Sequence, residues 1–244
     1  PAAYWPQTAL LHDHMDGSRP LLTILPELAR MSGAKYPFNQ WAGHHEQVIK
    51  WFGNPLKGDI VKKFSITTGV MQEIDTLFLA GKTYTQIRAN QGFKYCETII
   101  APQYHTFTGL PVQEIIHALV RGIMRAEKDN PGIEVNLLLG VGREVSPERA
   151  VELVEMFSEC NKEIRPYLAG INLVCDEAKN PPEKHIKMFK RAKQLGWKTA
   201  CHVGEWVHNP DTQVPDLYRD LPQLVKNIRT AIFDLEVDRL EHAI

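Results

Sequence analysis

The 244 residues are enough for one sizeable hydrophobic core and too few for two comfortable domains. The 28 Lys and Arg residues are balanced by 29 Asp and Glu residues, so the net charge of -1 gives no electrostatic case for a nucleic acid or an anionic membrane as partner. No apolar run has the length that a bilayer requires. The four cysteines form no Cys-x-x-Cys pair and are expected to be buried thiols in a reducing compartment, which favours a cytoplasmic location.

The chain opens with a short apolar run, Ala9-Leu10-Leu11, which predicts a buried strand leading into two histidines. Alternate residues of a strand point to the same face, so His12 and His14 should project side by side. Two imidazoles placed in this way can bind one divalent metal. Taken alone, the pattern is explained equally well by two unrelated histidines.

Residues 20–90 are predicted to be mainly helical. A helix over 20–31 contains Pro26, which should kink it or make it restart. Residues 34–57 carry scattered aromatic side chains and predict loop and short helix, either a lid over the site or a plain packing segment. The hydrophobic pattern of residues 59–90 again favours helix.

From residue 93 onward, predicted strands alternate with predicted helices. Strands are expected at 93–100, 133–139, 168–174, 197–202 and 238–242, and helices at 112–127, 146–158, 183–195 and 222–233. With the opening strand, this alternation indicates a parallel α/β sheet, either doubly wound or closed into a barrel. The absence of a Gly-x-Gly-x-x-Gly turn argues against the dinucleotide-binding version. Ionisable residues follow the strands where a (β/α)8 barrel carries its active site, so we expect that barrel, as a single domain over residues 1–244.

Three further residues complete the predicted site. His202 ends a predicted strand and can serve as a third metal ligand beside His12 and His14. Glu205 lies on the turn just beyond it and is near enough to act as acid or base without binding the metal. His242 ends the last predicted strand and could take a proton from a metal-bound water. Each histidine alone is explained by a structural role, but together with the carboxylate they favour a metallohydrolase site.

Four segments resemble the adenosine deaminase family of the amidohydrolase superfamily. They are Leu-His-Asp-His-Met-Asp-Gly at 11–17, Leu-Val-Cys-Asp-Glu at 173–177, His-Val-Gly-Glu at 202–205 and Asp-Arg-Leu-Glu-His at 238–242. The resemblance covers nearly the whole chain. It implies a (β/α)8 barrel of the TIM type that binds one Zn2+ and hydrolytically replaces the exocyclic amine of adenosine, or of a close relative, by oxygen.

The resemblance also implies a role for each metal-binding and catalytic residue. His12, His14 and His202 correspond to the zinc ligands. Glu205 corresponds to the proton donor to the purine ring nitrogen, and His242 to the group that orients and deprotonates the zinc-bound water. This chemistry needs a metal that lowers the pKa of water and a base beside that water.

Two positions concern the substrate. Asp16 resembles the residue that bonds the ribose hydroxyl. Cys175 stands where the family has a glycine that contacts the purine through its backbone, and its side chain could narrow the pocket while the backbone N–H remains. A second departure is Ile99, two residues after Glu97, where the family commonly has an arginine.

The resemblance also implies that the barrel is incomplete at its C-terminus. The chain stops at Ile244, just after the sixth predicted strand, so the last two strands of the family and the aspartates on the eighth lie outside this sequence. Two missing strands would leave open sheet edges. We therefore expect that a C-terminal segment of the same protein, or another polypeptide, supplies the rest.

Three functions stay open at this point. The first is zinc-dependent deamination of an aminopurine nucleoside such as adenosine. The second is another reaction of the superfamily, deamination of a different aminopurine or hydrolysis of a cyclic amide, which Cys175 keeps open. The third is a purine-binding barrel without catalysis. A zinc deaminase of the nucleobase-editing kind is disfavoured, because it needs a Pro-Cys-x-x-Cys motif that this sequence lacks.

Overall fold

The computed structural model of the protein describes residues 8–33, 45–52, 60–205 and 217–243. Its strands are β1 (Thr8–Leu10), β2 (Phe93–Ile100), β3 (Glu134–Gly142), β4 (Leu168–Val174), β5 (Thr199–Val203) and β6 (Arg239–His242). Its α-helices are α1 (Arg19–Met31), α2 (His45–Phe52), α3 (Ile60–Gly69), α4 (Ile74–Asn90), α5 (Val112–Asp129), α6 (Pro147–Ser158), α7 (Ile186–Gln194) and α8 (Leu217–Phe233). Short 3-10 helices include Met15–Gly17, Pro102–His105 and Pro182–His185.

The strands follow one another in the sheet in the order of the chain, β1-β2-β3-β4-β5-β6. β1 pairs in parallel with β2, β4 with β5, and β5 with β6. Parallel neighbours need a crossover connection, and helices supply it between successive strands. β5 is buried along its whole length, as expected for a parallel strand covered on both faces. The predicted α/β alternation of a TIM-type barrel fold is therefore confirmed.

Several boundaries differ from the prediction. α1 continues through Pro26 as one helix, so the predicted restart does not occur there, and Leu25 and Leu28 on either side of the proline are fully buried. The helical stretch at 59–90 is two helices, since Glu73 and Thr76 form a capping box that starts α4 anew. α8 begins at Leu217, earlier than expected, with Pro222 inside it. Of the segment 34–57, only α2 lies within the described residues.

The chain divides into two compact units, one of Pro1–Leu137 with Cys160–Tyr167 and the other of Leu138–Glu159 with Leu168–Ile244. In the first unit, α4 and α5 approach each other through two glycines. A Cβ atom on Gly81 would lie closer than 3.0 Å to the carbonyl oxygen of Leu119, and one on Gly122 would crowd the carbonyl oxygen of Phe78 in the same way. Both positions therefore require glycine for packing reasons.

In the second unit, side chains fix both ends of α6. Ser146 accepts a hydrogen bond from the backbone N–H of Arg149 at 3.1 Å, and Pro147 occupies the first turn. At the other end, the indole N–H of Trp197 donates to the hydroxyl of Ser158 at 2.8 Å. This bond connects α6 to the segment that leads into β5.

No disulfide joins the four cysteines, all of which lie in the described ranges. Cys96, Cys160 and Cys201 are buried as predicted, and burial raises the pKa of the Cys96 and Cys201 thiols to about 11. The expectation was wrong for Cys175, which is exposed because it follows the end of β4. Within the described parts of the chain, no helix is both long enough and apolar enough to cross a bilayer.

His105 is a fully buried histidine in the 3-10 helix Pro102–His105. Its Nδ1–H donates to the carbonyl oxygen of Met71 at 2.8 Å, whereas Nε2 has no partner among the described residues. Burial lowers its pKa from 6.5 to about 4. The folded protein therefore binds this proton less readily than the unfolded chain does.

We expect His105 to make the protein less stable in mild acid. The contribution of His105 to the free energy of unfolding should be constant above pH 6.5, fall between pH 6.5 and pH 4, and level off below pH 4. The contribution is about 2 kcal/mol at pH 5. His105→Asn keeps a donor for Met71 and should remove this part of the pH dependence, as measured by urea unfolding at pH 7.5 and pH 5. His117→Asn, on α5, controls for loss of an imidazole; equal pH dependence in wild type and His105→Asn would contradict the prediction.

Candidate functional site

In the first unit, the two histidines lie after β1 rather than on it. β1 ends at Leu10, so the predicted alternation along a strand does not apply to His12. His14 forms an isolated parallel bridge with Ile99. The two imidazole rings are nevertheless neighbours, with centroids 5.5 Å apart and planes at 62°.

The residue between the histidines fixes this segment. The carboxylate of Asp13 accepts hydrogen bonds from the hydroxyl of Tyr84, at 2.8 Å, and from the guanidinium of Arg88. The other carboxylate oxygen accepts from the backbone N–H of His14 at 3.0 Å, and the Asp13 carbonyl oxygen accepts from the N–H of Ile99 at 2.7 Å. Burial and the Asp13 charge raise the pKa of Tyr84 above its usual range. Asp13 thus attaches the histidine segment to both α4 and β2.

Asp16 lies in the 3-10 helix Met15–Gly17 and is only 5% exposed. Its Oδ1 has no hydrogen-bond partner among the described residues. Burial raises the pKa of this carboxyl group from 3.8 to about 7. A buried carboxyl oxygen without a donor is suited to accept a hydrogen bond from a hydroxyl group of a ligand.

A cavity of about 270 Å³ lies beside this turn in the first unit. It is lined by Gly17, Arg19, Leu22, Ile49, Phe52, Lys63, Phe64 and Thr67, from α1, α2, α3 and the turn. The ammonium group of Lys63 donates to the carbonyl oxygen of Phe52 at 2.8 Å, which connects α3 to α2. The turn that carries Asp16 therefore borders space for part of a small molecule.

In the second unit, His202 lies within β5 and is 3% exposed. Its Nδ1 is 3.0 Å from the side-chain oxygen of Asn172 on β4. An amide oxygen only accepts, so Nδ1 carries the hydrogen and the lone pair is on Nε2. Histidine ligands of metals are typically oriented by such a bond from their other ring nitrogen, so this arrangement suits a metal ligand.

A buried arginine supports the backbone of the same residue. Arg143, which follows β3, has no exposed surface and donates from its guanidinium to the carbonyl oxygen of His202 and, at 3.3 Å, to that of Asn180. The carbonyl oxygen of Arg143 accepts from Nε2 of His185 at 3.0 Å. Burial lowers the pKa of His185. These contacts hold the carboxyl end of β5.

Glu205 lies on the turn after β5, where Gly204 has a φ of 80°. This left-handed conformation is the reason that the turn needs a glycine. One carboxylate oxygen of Glu205 lies 3.4 Å from Nε2 of His242, the last residue of β6. The ring centroids of His202 and His242 are 5.1 Å apart. The second unit therefore brings an acid and two imidazoles together.

Glu177 is a further residue of this cluster that the sequence argument left without a role. Its side chain is buried, and its two oxygens accept from the backbone N–H groups of Gly204 and Glu205, each at 3.1 Å. Asn172, Arg143 and Asp13 were missed in the same way. Glu177 and Asp13 did lie within the quoted motifs. Asn172 and Arg143 had no distinguishing signal.

Cys175 directly follows β4 and has a φ of 79°. Residues with a side chain rarely adopt this left-handed region, whereas glycine does so freely. The backbone at Cys175 thus has a conformation typical of glycine, the residue that the adenosine deaminase family has at this position. The exposed thiol is carried on that backbone.

A family model described as adenosine deaminase matches residues 6–244, and the chain belongs to the adenosine deaminase family. An adenosine deaminase of Clostridium botulinum is 32% identical over 200 residues, which are 80% of this chain and 57% of that relative. The chain thus spans a little over half the length of this curated relative.

Two solved structures show the fold. An adenine deaminase from Arthrobacter aurescens is 23% identical with a TM-score of 0.77, and the match covers 98% of this chain and 65% of that one. An amidohydrolase from Burkholderia ambifaria with bound zinc is 24% identical with a TM-score of 0.76, covering 96% of this chain and 58% of that one. Both likenesses extend over almost all of the sequence.

We expect Cys175→Gly to stabilise the protein by about 1 kcal/mol, because relief of the left-handed strain outweighs the entropy that glycine adds to the unfolded chain. Cys175→Ala is the matched control, since alanine keeps the Cβ atom and loses only the thiol. Urea unfolding of the three proteins measures the effect. Equal gains from glycine and alanine would show that the thiol, not the backbone, carries the cost.

Proposed function

We propose that the protein is a zinc-dependent aminohydrolase that removes the exocyclic amine of adenosine or of a closely related aminopurine nucleoside. Membership of the adenosine deaminase family supports this function. The observation that carries it is the contact between Glu205 and His242, because it pairs a carboxyl group with an imidazole at 3.4 Å beside His202. Hydrolytic deamination needs both a proton donor and a proton acceptor.

We propose His12, His14 and His202 as the zinc ligands. The bond between His202 and Asn172 supports this assignment, because it leaves the Nε2 lone pair for a metal. Imidazole nitrogen is a preferred ligand of zinc, and the Burkholderia ambifaria amidohydrolase has zinc bound. When bound, zinc supplies a positive charge and a lowered pKa for a coordinated water.

In the proposed reaction, Glu205 donates a proton to a purine ring nitrogen, which makes the neighbouring ring carbon more electrophilic. A water molecule adds to that carbon, and His242 accepts the proton that the water gives up. The carbon–nitrogen bond to the exocyclic amine then breaks. The amine takes up the proton that His242 holds and leaves as ammonia. The remaining hydroxyl proton on the ring oxygen returns to Glu205, so the oxygen of water stays on the ring as a carbonyl.

Two residues are proposed to bind the substrate. Asp16 would accept a hydrogen bond from a ribose hydroxyl, which would satisfy the Oδ1 atom that has no partner among the described residues. The backbone N–H of Cys175 would contact the purine, supported by the glycine-like φ of 79° at this position. The partner is accordingly a small aminopurine.

Cys175 also favours a second candidate, deamination of a different aminopurine. A thiol replaces a hydrogen atom next to the proposed purine contact, which changes the room available to ring substituents. Turnover of a panel containing adenosine, adenine and N6-substituted adenosines separates the two candidates. If the protein binds purines but turns over no compound of this panel, its function is that of a purine-binding barrel without catalysis.

We further propose that residues 1–244 act as one metal-dependent hydrolase domain. The parallel sheet in chain order supports this domain assignment. A cytoplasmic location remains a prediction, which is based on the expectation that the cysteines are thiols in a reducing compartment.

Metal analysis tests the proposed ligands. The protein expressed from its full coding sequence should contain zinc, and His12→Ala/His14→Ala should lose it because two ligands are gone. Asn172→Ala should weaken zinc affinity by about 10- to 100-fold, measured by competition with a chelator, since it removes the group that orients His202. His117→Ala, on α5, is the control. Equal metal content in wild type and the double variant would refute the assignment.

Glu205→Gln tests the proposed proton donor. The amide retains shape and hydrogen bonding but has no proton to transfer, so kcat should fall by about 10²- to 10⁴-fold. The zinc content and the binding of a purine ligand should persist. The change in ultraviolet absorbance as adenosine becomes inosine measures the rate, with Glu152→Gln as a surface control. If Glu205→Gln were as active as the wild type, Glu205 would have only a structural role and would not be the proton donor.

A further inference from the structure

We propose that Glu177 is a positioning residue for Glu205: its buried carboxylate holds the turn after β5 so that the carboxyl group of Glu205 stays beside His242. The inference rests on the proposed function, because only there does Glu205 have a chemical role. Glu177 would act through the backbone of the turn and would not itself contact the substrate.

The contacts of Glu177 engage both of its oxygens. Oε1 accepts from the N–H of Gly204 and Oε2 from the N–H of Glu205, each at 3.1 Å. Because the two oxygens accept from two consecutive backbone N–H groups, they fix the orientation of the peptide between them, as a bidentate carboxylate fixes a guanidinium group. Glu177 is 2% exposed, so water competes little for these bonds.

A second pair of side chains fixes Glu177 itself. The side-chain amide of Asn227, on α8, donates to Oε1 of Glu177 at 2.8 Å. The amide of Gln223, one turn earlier, donates to the side-chain oxygen of Asn227 at 2.6 Å and thereby determines which way the Asn227 amide points. Asn227 has no exposed surface. The turn after β5 is therefore connected to α8 through a directed chain of hydrogen bonds.

Glu205 depends on its backbone for its position. About a third of its side chain is exposed, and one of its carboxylate oxygens lies 3.4 Å from Nε2 of His242. The position of the carboxyl group also depends on the conformation of the turn that carries it. Gly204, with its φ of 80°, would allow the turn other conformations if the two N–H groups lost their acceptor. The Glu177 carboxylate restricts this freedom.

A purely structural role for Glu177 makes a different prediction. A carboxylate that only satisfies two buried N–H groups would, when altered, reduce activity by the same factor whatever residue stands at 205. A residue that acts through Glu205 would lose most of its effect once Glu205 cannot donate a proton. Because coupling between neighbouring sites appears as non-additivity, a double-mutant cycle separates the two roles.

The experiment compares wild type, Glu177→Gln, Glu205→Gln and the double variant, all expressed from the full coding sequence. Glu177→Gln loses one acceptor oxygen and should lower kcat by about 10- to 10²-fold with little change in KM, since a small misplacement of a reacting group costs this much. In the Glu205→Gln background, the same change should cost less than about 2-fold. Equal losses in both backgrounds would overturn the proposal. Glu152→Gln, which alters an exposed carboxylate paired with Arg149 on α6, is the matched control.

Two additional measurements cover the other outcomes. If Glu177→Gln does not fold, Glu177→Asp keeps the charge, withdraws the carboxylate by one methylene and takes its place in the cycle. Failure of wild type to turn over any aminopurine would defeat the proposed function. In that case, amide hydrogen exchange at Gly204 and Glu205 decides whether Glu177 holds the turn. Faster exchange in Glu177→Gln than in Glu152→Gln supports the proposal, and equal protection in the two variants overturns it.

Discussion

The ion pair between Asp13 and Arg88 joins the segment of His12 and His14 to helix α4. The two side chains are 18% and 12% exposed, so each charge depends on the other and on the hydroxyl of Tyr84. Removing one member of a largely buried pair leaves an uncompensated charge and typically costs about 3–5 kcal/mol. The arrangement of the two imidazoles is therefore tied to the stability of the first unit.

The second unit supports its reactive side chains in a comparable way. His202 is oriented by Asn172 and Arg143, and the turn of Glu205 by Glu177. In each case a buried polar group satisfies backbone or ring groups at the carboxyl end of a strand, where strand pairing no longer does so. The supporting side chains are inaccessible, whereas Glu205 is partly accessible to a substrate.

The alternation of strands and helices could be predicted because apolar runs and turn residues are local signals. His202 and Glu205 could be predicted because they stand together in one motif; their chemical roles remain predictions. The hydrogen bonds between Glu177 and the turn after β5 could not be predicted, because their partners are 27 and 28 residues away along the chain and the contact depends on the register of β4 and β5. The early end of β1 was missed for a similar reason, because the Asp13 contacts replace further strand pairing.

The glycines at the contact between α4 and α5 have a consequence for engineering. Replacing a glycine inside a helix by alanine ordinarily raises helix propensity and adds up to about 1 kcal/mol of stability, so consensus or propensity-based redesign would select these two positions early. Here a methyl group on Gly81 or Gly122 would press against a carbonyl group of the facing helix, which cannot rotate away as a side chain can. The substitutions that a helix scale ranks as gains would force the two backbones apart.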